Sequence, residues 1–295
     1  MQAEIRKDYL TNKTVVIAPK RGKRPHGVKK TGCPLCPGQL TEKIVDSIGG
    51  EKWQVISLGN PFSAVTPKNK KAYGYQEVIV ETPDHNKPLA KFSEAEIGQV
   101  LEMFVRRTKA LSRDKKIKYI LCFKNFGKEA GASLDHSHSQ IFATQILPPN
   151  ISEEIKLAQE YKKKNKSCFY CDLLKKEKKT KRHIWSDKNM IAITPFASQY
   201  SYEAWVFSQR HIDNITQLND GELKSLAKIL KKIIAKLAAA NISYNFFLQQ
   251  AITCRDEHFI LKIQPRSSIW AGLELGTGLA INSVSPEEAV KFYKK

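Results

Sequence analysis

The chain has 295 residues, 41% of them hydrophobic, which is enough for one large or two medium domains with buried cores. Its 49 Lys and Arg against 29 Asp and Glu leave a net charge of +20, a field that attracts polyanions such as nucleotides, sugar phosphates and nucleic acid. The start, Met1 to Asp8, is charged where a signal peptide has an apolar run, and the most apolar stretch, Leu223 to Ala240, is broken by lysines, so a cytoplasmic protein without membrane contact is expected.

Along the chain, the basic cluster Lys20 to Arg24 is followed by a Cys-x-x-Cys pair, Cys33 and Cys36. Ala64-Val65-Thr66-Pro67 precedes Tyr75, and His85 stands 10 residues after that tyrosine. Ser93-Glu94-Ala95-Glu96 has capping-box spacing, and Ile97, Val100, Leu101, Phe104, Val105 and Leu111 follow at helical period, which predicts a core-facing helix. Tyr119 to Phe123 reads as a strand, Gly127 to Gly131 as a turn, and His136 to Gln140 as the next strand. Cys122, inside the apolar run, is expected to be an inert buried thiol, and Cys254 is a second spare one.

The lysine runs 162–166 and 175–182 lack interleaved aromatics and are expected to be solvated linker at a boundary between halves. Between them stand Cys168 and Cys171. Ala192-Ile193-Thr194-Pro195 then precedes Tyr202, with His211 nine residues later. Asn219-Asp220-Gly221-Glu222 caps a second predicted helix, carrying Leu223, Leu226, Leu230, Ile233, Ile234 and Leu237 on one stripe. Tyr244 to Leu248 is its following strand, and His258 comes soon after. His26 and His183 sit in basic segments, are expected to be exposed, and belong to neither series.

The second half of the chain repeats the first. Cys33, Cys36, His85 and His136 are spaced by 49 and 51 residues beyond the Cys-x-x-Cys pair, and Cys168, Cys171, His211 and His258 by 40 and 47. A duplicated domain accounts for this, with halves at 1–160 and 161–295. Strands in sequence order around one helix, without βαβ alternation, indicate an α+β architecture of antiparallel strands with packed helices. Two thiolates and two imidazoles make a closed tetrahedral shell, so each half is expected to hold one structural Zn2+, two per chain.

The halves differ after the last ligand. The first continues as His136-Ser137-His138-Ser139-Gln140, the second as His258-Phe259-Ile260-Leu261. On a strand, period two places His136, His138 and Gln140 on one face. His138 is left without a structural task, and a neutral imidazole is a good nucleophile towards phosphorus that leaves again readily. Gln140 can orient a phosphate oxygen, while Ser133 and the backbone from Gly127 to Ser133 can hold others.

These residues carry a resemblance that spans nearly the whole chain. Arg6-Lys7-Asp8-Tyr9-Leu10-Thr11, Ala18 to Pro25, and Phe123-Lys124-Asn125-Phe126-Gly127 through Gly131-Ala132-Ser133 to Gln140 resemble the galactose-1-phosphate uridylyltransferase branch of the histidine-triad superfamily. The resemblance implies two tandem histidine-triad-like halves and a ping-pong reaction that moves a nucleoside monophosphate from a nucleoside diphosphate sugar to the active histidine and then to a second sugar phosphate. By it, His138 is the nucleophile, Gln140 orients the α-phosphate, Ser133 and Arg21 or Arg24 contact phosphates, Asn60 and Asn125 line the nucleotide pocket, and Glu274 contacts hexose hydroxyls. It also implies a homodimer in which the C-terminal half contributes to the partner's site.

Two features depart from that branch's usual pattern. Ser137 stands where proline is usual, and Leu273 replaces a hexose-reading tyrosine. Leu275-Gly276-Thr277-Gly278 and the complete second ligand set are similar instead to the plant ADP-glucose phosphorylases of the same branch. The first reading, by number of family members, is UDP-glucose:hexose-1-phosphate uridylyl transfer in galactose metabolism. The second is an ADP-glucose or dinucleoside-polyphosphate phosphorylase with the same intermediate and phosphate as acceptor. The third, from another class, is a zinc-stabilised module that binds nucleic acid; it predicts no covalent chemistry at His138, and nucleic acid is not the expected partner.

Overall fold

The computed structural model describes residues 2–11, 13–23, 32–253 and 257–295; Arg24, His26 and Cys254 lie outside the described residues. Two short strands, β1 (Glu4–Lys7) and β2 (Thr14–Ile17), form a separate antiparallel hairpin. The next five strands are β3 (Ile44–Ile48), β4 (Val55–Gly59), β5 (Gly74–Val80), β6 (Tyr119–Phe126) and β7 (His138–Thr144). Five more come after them, β8 (His183–Ser186), β9 (Met190–Ile193), β10 (Ala204–Ser208), β11 (Tyr244–Gln249) and β12 (Ile260–Pro265). Among the described residues there are six helices: α1 (Glu94–Leu111), α2 (Pro149–Asn165), α3 (Phe169–Glu177), α4 (Asp220–Ala239), α5 (Gly272–Thr277) and α6 (Pro286–Lys294).

Each half contributes five antiparallel strands, and the two sets are hydrogen-bonded edge to edge into a single ten-stranded sheet. Its order is β3-β4-β5-β7-β6-β11-β12-β10-β9-β8. Outward from the β6–β11 join, the strands on the two sides correspond one to one, so the duplication seen in the ligand spacing is also a duplication of topology. The join pairs Tyr244 with Phe126 and Phe247 with Phe123.

The two long helices occupy equivalent places and form where their capping boxes predict. Ser93 Oγ accepts from the Glu96 N–H at 3.2 Å, and Asn219 Oδ1 accepts from the Glu222 N–H at 2.9 Å, with the glutamates reaching back to the cap N–H groups. Ile97, Leu101 and Phe104 of α1, Leu226, Leu230 and Ile233 of α4, and Ile120, Phe246 and Leu261 of the sheet belong to one buried cluster. The hydrophobic core thus crosses the join. Cys122 lies inside it, and burial pushes its thiol up to about 12, so it is inert as expected.

Three expectations are corrected. The lysine runs are solvated but in part helical: Lys162, Lys163 and Lys164 lie on the last turn of α2, and Lys175 and Lys176 on the last turn of α3, where ammonium groups complement the carbonyl end of a helix, while residues 178–182 form a turn. The helix α2 forms because Ile151, Ile155 and Ala158 give it a buried stripe, and it runs unbroken through residues 160 and 161. His183 is half-buried at the start of β8, 3.1 Å from the Ser186 hydroxyl. Finally, β7 begins at His138 and not at His136, because the chain before it turns to deliver the His136 ring elsewhere.

Because Phe104 is fully buried in the shared cluster, Phe104→Ala is expected to cost about 3–5 kcal/mol in urea unfolding. The loss should appear in one transition common to both halves. A resolved C-terminal transition unmoved by the substitution would contradict a continuous core.

Candidate active site and metal clusters

Cys33 and Cys36 are drawn together by a turn in which the Cys36 N–H donates to the Cys33 carbonyl at 3.2 Å. His85 comes after β5 and His136 precedes β7, and these strands are neighbours. The four ligand atoms lie within 4.8 Å of one another. Cys33 Sγ is 3.7 Å from His136 Nδ1, and Cys36 Sγ is 3.5 Å from His85 Nδ1 and 3.6 Å from His136 Nδ1. With zinc–sulfur bonds near 2.3 Å and zinc–nitrogen bonds near 2.0–2.1 Å, a sulfur and a nitrogen on two corners of a tetrahedron stand about 3.6 Å apart. The donors therefore fit a closed four-coordinate shell. His136 Nε2 donates to the Thr82 carbonyl at 2.7 Å, which turns Nδ1 to the metal side, and burial holds the ring below the usual histidine range in its neutral, ligating form.

The second cluster repeats this geometry. Cys168 and Cys171 begin α3, His211 comes after β10 and His258 precedes β12, the strands equivalent to β5 and β7. Cys171 Sγ is 3.5 Å from His211 Nδ1 and 3.6 Å from His258 Nδ1, and His258 Nε2 donates to the Ser208 carbonyl at 2.8 Å. Both clusters could hold a metal ion. The residues after the last histidine differ, since Ile260, in the place of His138, is packed with Tyr170, Leu174, Ile193 and Phe207.

His138 is the first residue of β7 and is 6% exposed. Its Nδ1 lies 2.8 Å from the His136 carbonyl oxygen. A carbonyl can only accept, so Nδ1 carries the proton and Nε2 carries the in-plane lone pair. The ring borders a cleft of about 420 Å³ with apolar walls from Leu35, Leu58, Phe62 and Val78 and polar groups from Asn60, Ser133 and Gln140.

Gln140 is oriented by a relay that begins at Arg21. The Arg21 Nη1 donates to the Phe62 carbonyl at 2.9 Å and to Gln76 Oε1 at 3.1 Å. A guanidinium has no acceptor, so the Gln76 oxygen is fixed on that side and its Nε2 donates to Gln140 Oε1 at 3.4 Å. Gln140 is left with its amide N–H groups as donors. Such an arrangement suits an anionic phosphate oxygen.

On the other side of β7 lies a fully buried ion pair. The Lys124 Nζ donates to Glu81 Oε2 at 2.6 Å, to Ser137 Oγ at 3.1 Å and to the His138 carbonyl at 2.9 Å. Ser137 Oγ in turn donates to Glu81 Oε2 at 2.6 Å. Burial pulls the Lys124 ammonium below its usual range, and the Glu81 carboxylate opposes that shift.

The structure thus brings His138, Gln140, Asn60 and Ser133 to one cleft and ties Arg21 to it through Gln76. Asn125 faces a neighbouring cleft of about 500 Å³ at the β6–β11 join, where its Oδ1 accepts from Asn245 Nδ2 at 2.8 Å. The 127–133 turn borders both clefts. It requires Gly127, whose φ of +85° is left-handed and whose added Cβ would stand 2.1 Å from Ser243 Oγ. Glu274 lies on exposed α5, where its Oε2 accepts from the Ala271 N–H at 3.0 Å, and it borders neither cleft. Gln76, Glu81 and Lys124 were not singled out by sequence reasoning. For Lys124 a signal exists, because it alternates with Ile120 and Cys122 and so falls on the buried face of a strand.

Comparison with known proteins agrees with this geometry. Residues 62–148 match the family model for the galactose-1-phosphate uridyl transferase N-terminal domain, and residues 154–251 match the model for its C-terminal domain. The chain is 30% identical to the galactose-1-phosphate uridylyltransferase of Thermotoga maritima, over 98% of this chain and 96% of that protein. It is 28% identical to the ADP-glucose phosphorylase of Arabidopsis thaliana, over 99% of this chain and 92% of that one. Among solved structures, a uridylyltransferase superposes with a TM-score of 0.87 at 29% identity, covering 99% of this chain and 97% of its own. The Arabidopsis thaliana ADP-glucose phosphorylase with bound ADP-glucose gives 0.83 at 27%, covering 100% and 99%. The clusters, the paired half-sheets and the His138 cleft are therefore those of a member of the galactose-1-phosphate uridylyltransferase family, to which this chain belongs.

Proposed function

We propose that this protein is a nucleotidyltransferase that moves a uridylyl group from UDP-glucose to a hexose 1-phosphate, galactose 1-phosphate, through a nucleotidyl-His138 intermediate. The observation that carries the reading is the bond from His138 Nδ1–H to the His136 carbonyl, which puts the lone pair on Nε2 of a ring bordering an apolar-walled cleft that also holds Asn60, Ser133 and Gln140. In the first step Nε2 attacks the α-phosphorus, a P–N bond forms, the P–O bond to the β-phosphate breaks, and hexose 1-phosphate leaves with that oxygen. In the second step a phosphate oxygen of the acceptor attacks the same phosphorus and the P–N bond breaks, returning neutral His138. The positive charge that the ring gains on attack strengthens its Nδ1–H bond to the His136 carbonyl.

In this reading Gln140 and Ser133 hold non-bridging oxygens, Arg21 or Arg24 serves the phosphates, and Asn60 and Asn125 line the nucleotide. The Cys/His clusters hold one Zn2+ each, two per chain, closed shells that fix the backbone beside His138 and its counterpart. Reduced thiols suit the cytoplasm as the compartment, and no helix among the described residues is long and apolar enough to cross a membrane. A homodimer is proposed because Ile269, Leu275, Leu279 and Ile281 are 84%, 75%, 68% and 65% exposed around Glu274, a surface that a second copy would cover while bringing Glu274 to the partner's sugar.

A second reading, ADP-glucose phosphorolysis through the same intermediate, is supported by the complete second cluster and by the phosphorylase relative. Intact mass after mixing with UDP-glucose or ADP-glucose separates the two. A uridylyl adduct on wild type, absent from His138→Asn, is expected, and an adenylyl adduct alone would give the second reading. No adduct from zinc-loaded protein would overturn both.

For the metal, Cys33→Ser is expected to lower zinc from two to one per chain and to depress the melting temperature, since a structural zinc in a small domain is worth on the order of 10 kcal/mol and less in a half with its own core. His138→Asn should keep both ions. Zinc lost from His138→Asn, or retained in full by Cys33→Ser, would reverse the division of roles. By sedimentation the protein should run as a dimer, and a monomer at micromolar concentration would remove the partner's Glu274 from the site.

A further inference from the structure

The Lys124–Glu81–Ser137 cluster has no task in the phosphorus chemistry of His138, yet it is the most completely buried charge in the half that carries that residue. Both side chains of the pair are at most 1% exposed. Burying a lysine and a glutamate is a poor way to gain stability, because the desolvation cost cancels most of the attraction and an apolar pair of similar volume is often as stable. The geometry of the pair is more specific than stability requires. All three N–H groups of the ammonium are used, and one acceptor is the carbonyl of His138 itself, at 2.9 Å. The residue-by-residue pairing of β6 with β7 runs only from Tyr119↔Thr144 to Phe123↔Gln140, so at His138 the Lys124 side chain supplies the link to β6. On the other edge, the Glu81 N–H donates to the Ser137 carbonyl at 3.1 Å, and the Glu81 carboxylate takes the Ser137 hydroxyl at 2.6 Å.

We propose that Lys124, with Glu81 and Ser137, is a positioning residue for His138: it clamps the Ser137–His138 backbone from behind, so that the imidazole keeps Nδ1–H on the His136 carbonyl while Nε2 is aimed at phosphorus. The clamp pairs one positive with one negative charge and fixes the peptide without adding net charge beside the ring. This inference rests on His138 being the nucleophile. It differs from the role of the metal cluster, which holds His136 and leaves the peptide after it to be fixed by other groups.

Lys124→Met alone strands a buried carboxylate and can unfold the protein, so the informative variant is Lys124→Met/Glu81→Leu, which removes both charges at similar volume. Zinc content, melting temperature and donor Kd are expected to match wild type, while the rate of nucleotidyl-His138 formation at saturating donor falls about 10- to 100-fold, the penalty for an ångström-scale misplacement of a reacting group. A variant as stable as wild type that forms the adduct at the wild-type rate would overturn the proposal and leave the pair a purely structural tie. Should the double variant not fold, Ser137→Ala tests the same clamp, with a several-fold slower adduct and unchanged Kd expected and an unchanged rate overturning it. If wild type itself forms no adduct with any donor, it is the nucleophile assignment that fails, a result distinct from either of these.

Discussion

The hydrogen bonds between β6 and β11 decide the shape of this molecule. They run from Tyr244↔Phe126 to Phe247↔Phe123 and turn two five-stranded sheets into one of ten strands. Joined edge to edge, the halves no longer need to cap β6 and β11, which as edge strands would otherwise be open templates for pairing. The join also sets α1 beside α4 on one side and lets a single core run across both halves. Asn125 and Asn245 meet at the same place, so the edge that bonds the halves is also the floor of a cleft beside the active strand.

Within that frame the two copies have kept one feature and parted over another. Each keeps two cysteines beside two histidines that follow equivalent strands or precede them, with the last histidine held by a carbonyl through Nε2. Two residues further on, one half presents His138 to an open cleft and the other fills the space with Ile260 against Tyr170 and Phe207. A Cys/His cluster of this kind, which could hold a metal ion, ties down the chain just before the strand that comes after it. It is indifferent to the side chain that the strand then carries, which is why one copy can carry an imidazole and the other an isoleucine on the same scaffold.

Around His138, orientation is imposed by groups that can only donate or only accept. The His136 carbonyl selects the tautomer of the ring, and the Arg21 guanidinium selects, through Gln76, which end of the Gln140 amide is left to donate. Neither selection requires a contact with substrate. The site is therefore organised before a nucleotide enters, which lowers the reorganisation needed when charge develops on phosphorus. The positive net charge adds long-range attraction for phosphates, but the directional information sits in these few hydrogen bonds.

The ligand series, the capped helices at Ser93 and Asn219, the duplication and the candidate nucleophile could all be read from the chain, because each depends on spacing or period over a short stretch or on its recurrence. The start of β7, the helical state of the lysine runs and the edge-to-edge union of the halves could not. They depend on side chains far apart in sequence: the Thr82 carbonyl turning His136, the apolar stripe of α2 finding a surface to cover, and Phe123 meeting Phe247. The same holds for Gln76 and for Glu81, 43 residues from Lys124, whose roles exist only once β5, β6 and β7 lie side by side. Hydrogen bonds between strands and the burial of charge are set by register, and register is a property of the folded sheet, decided by how the whole hydrophobic face packs.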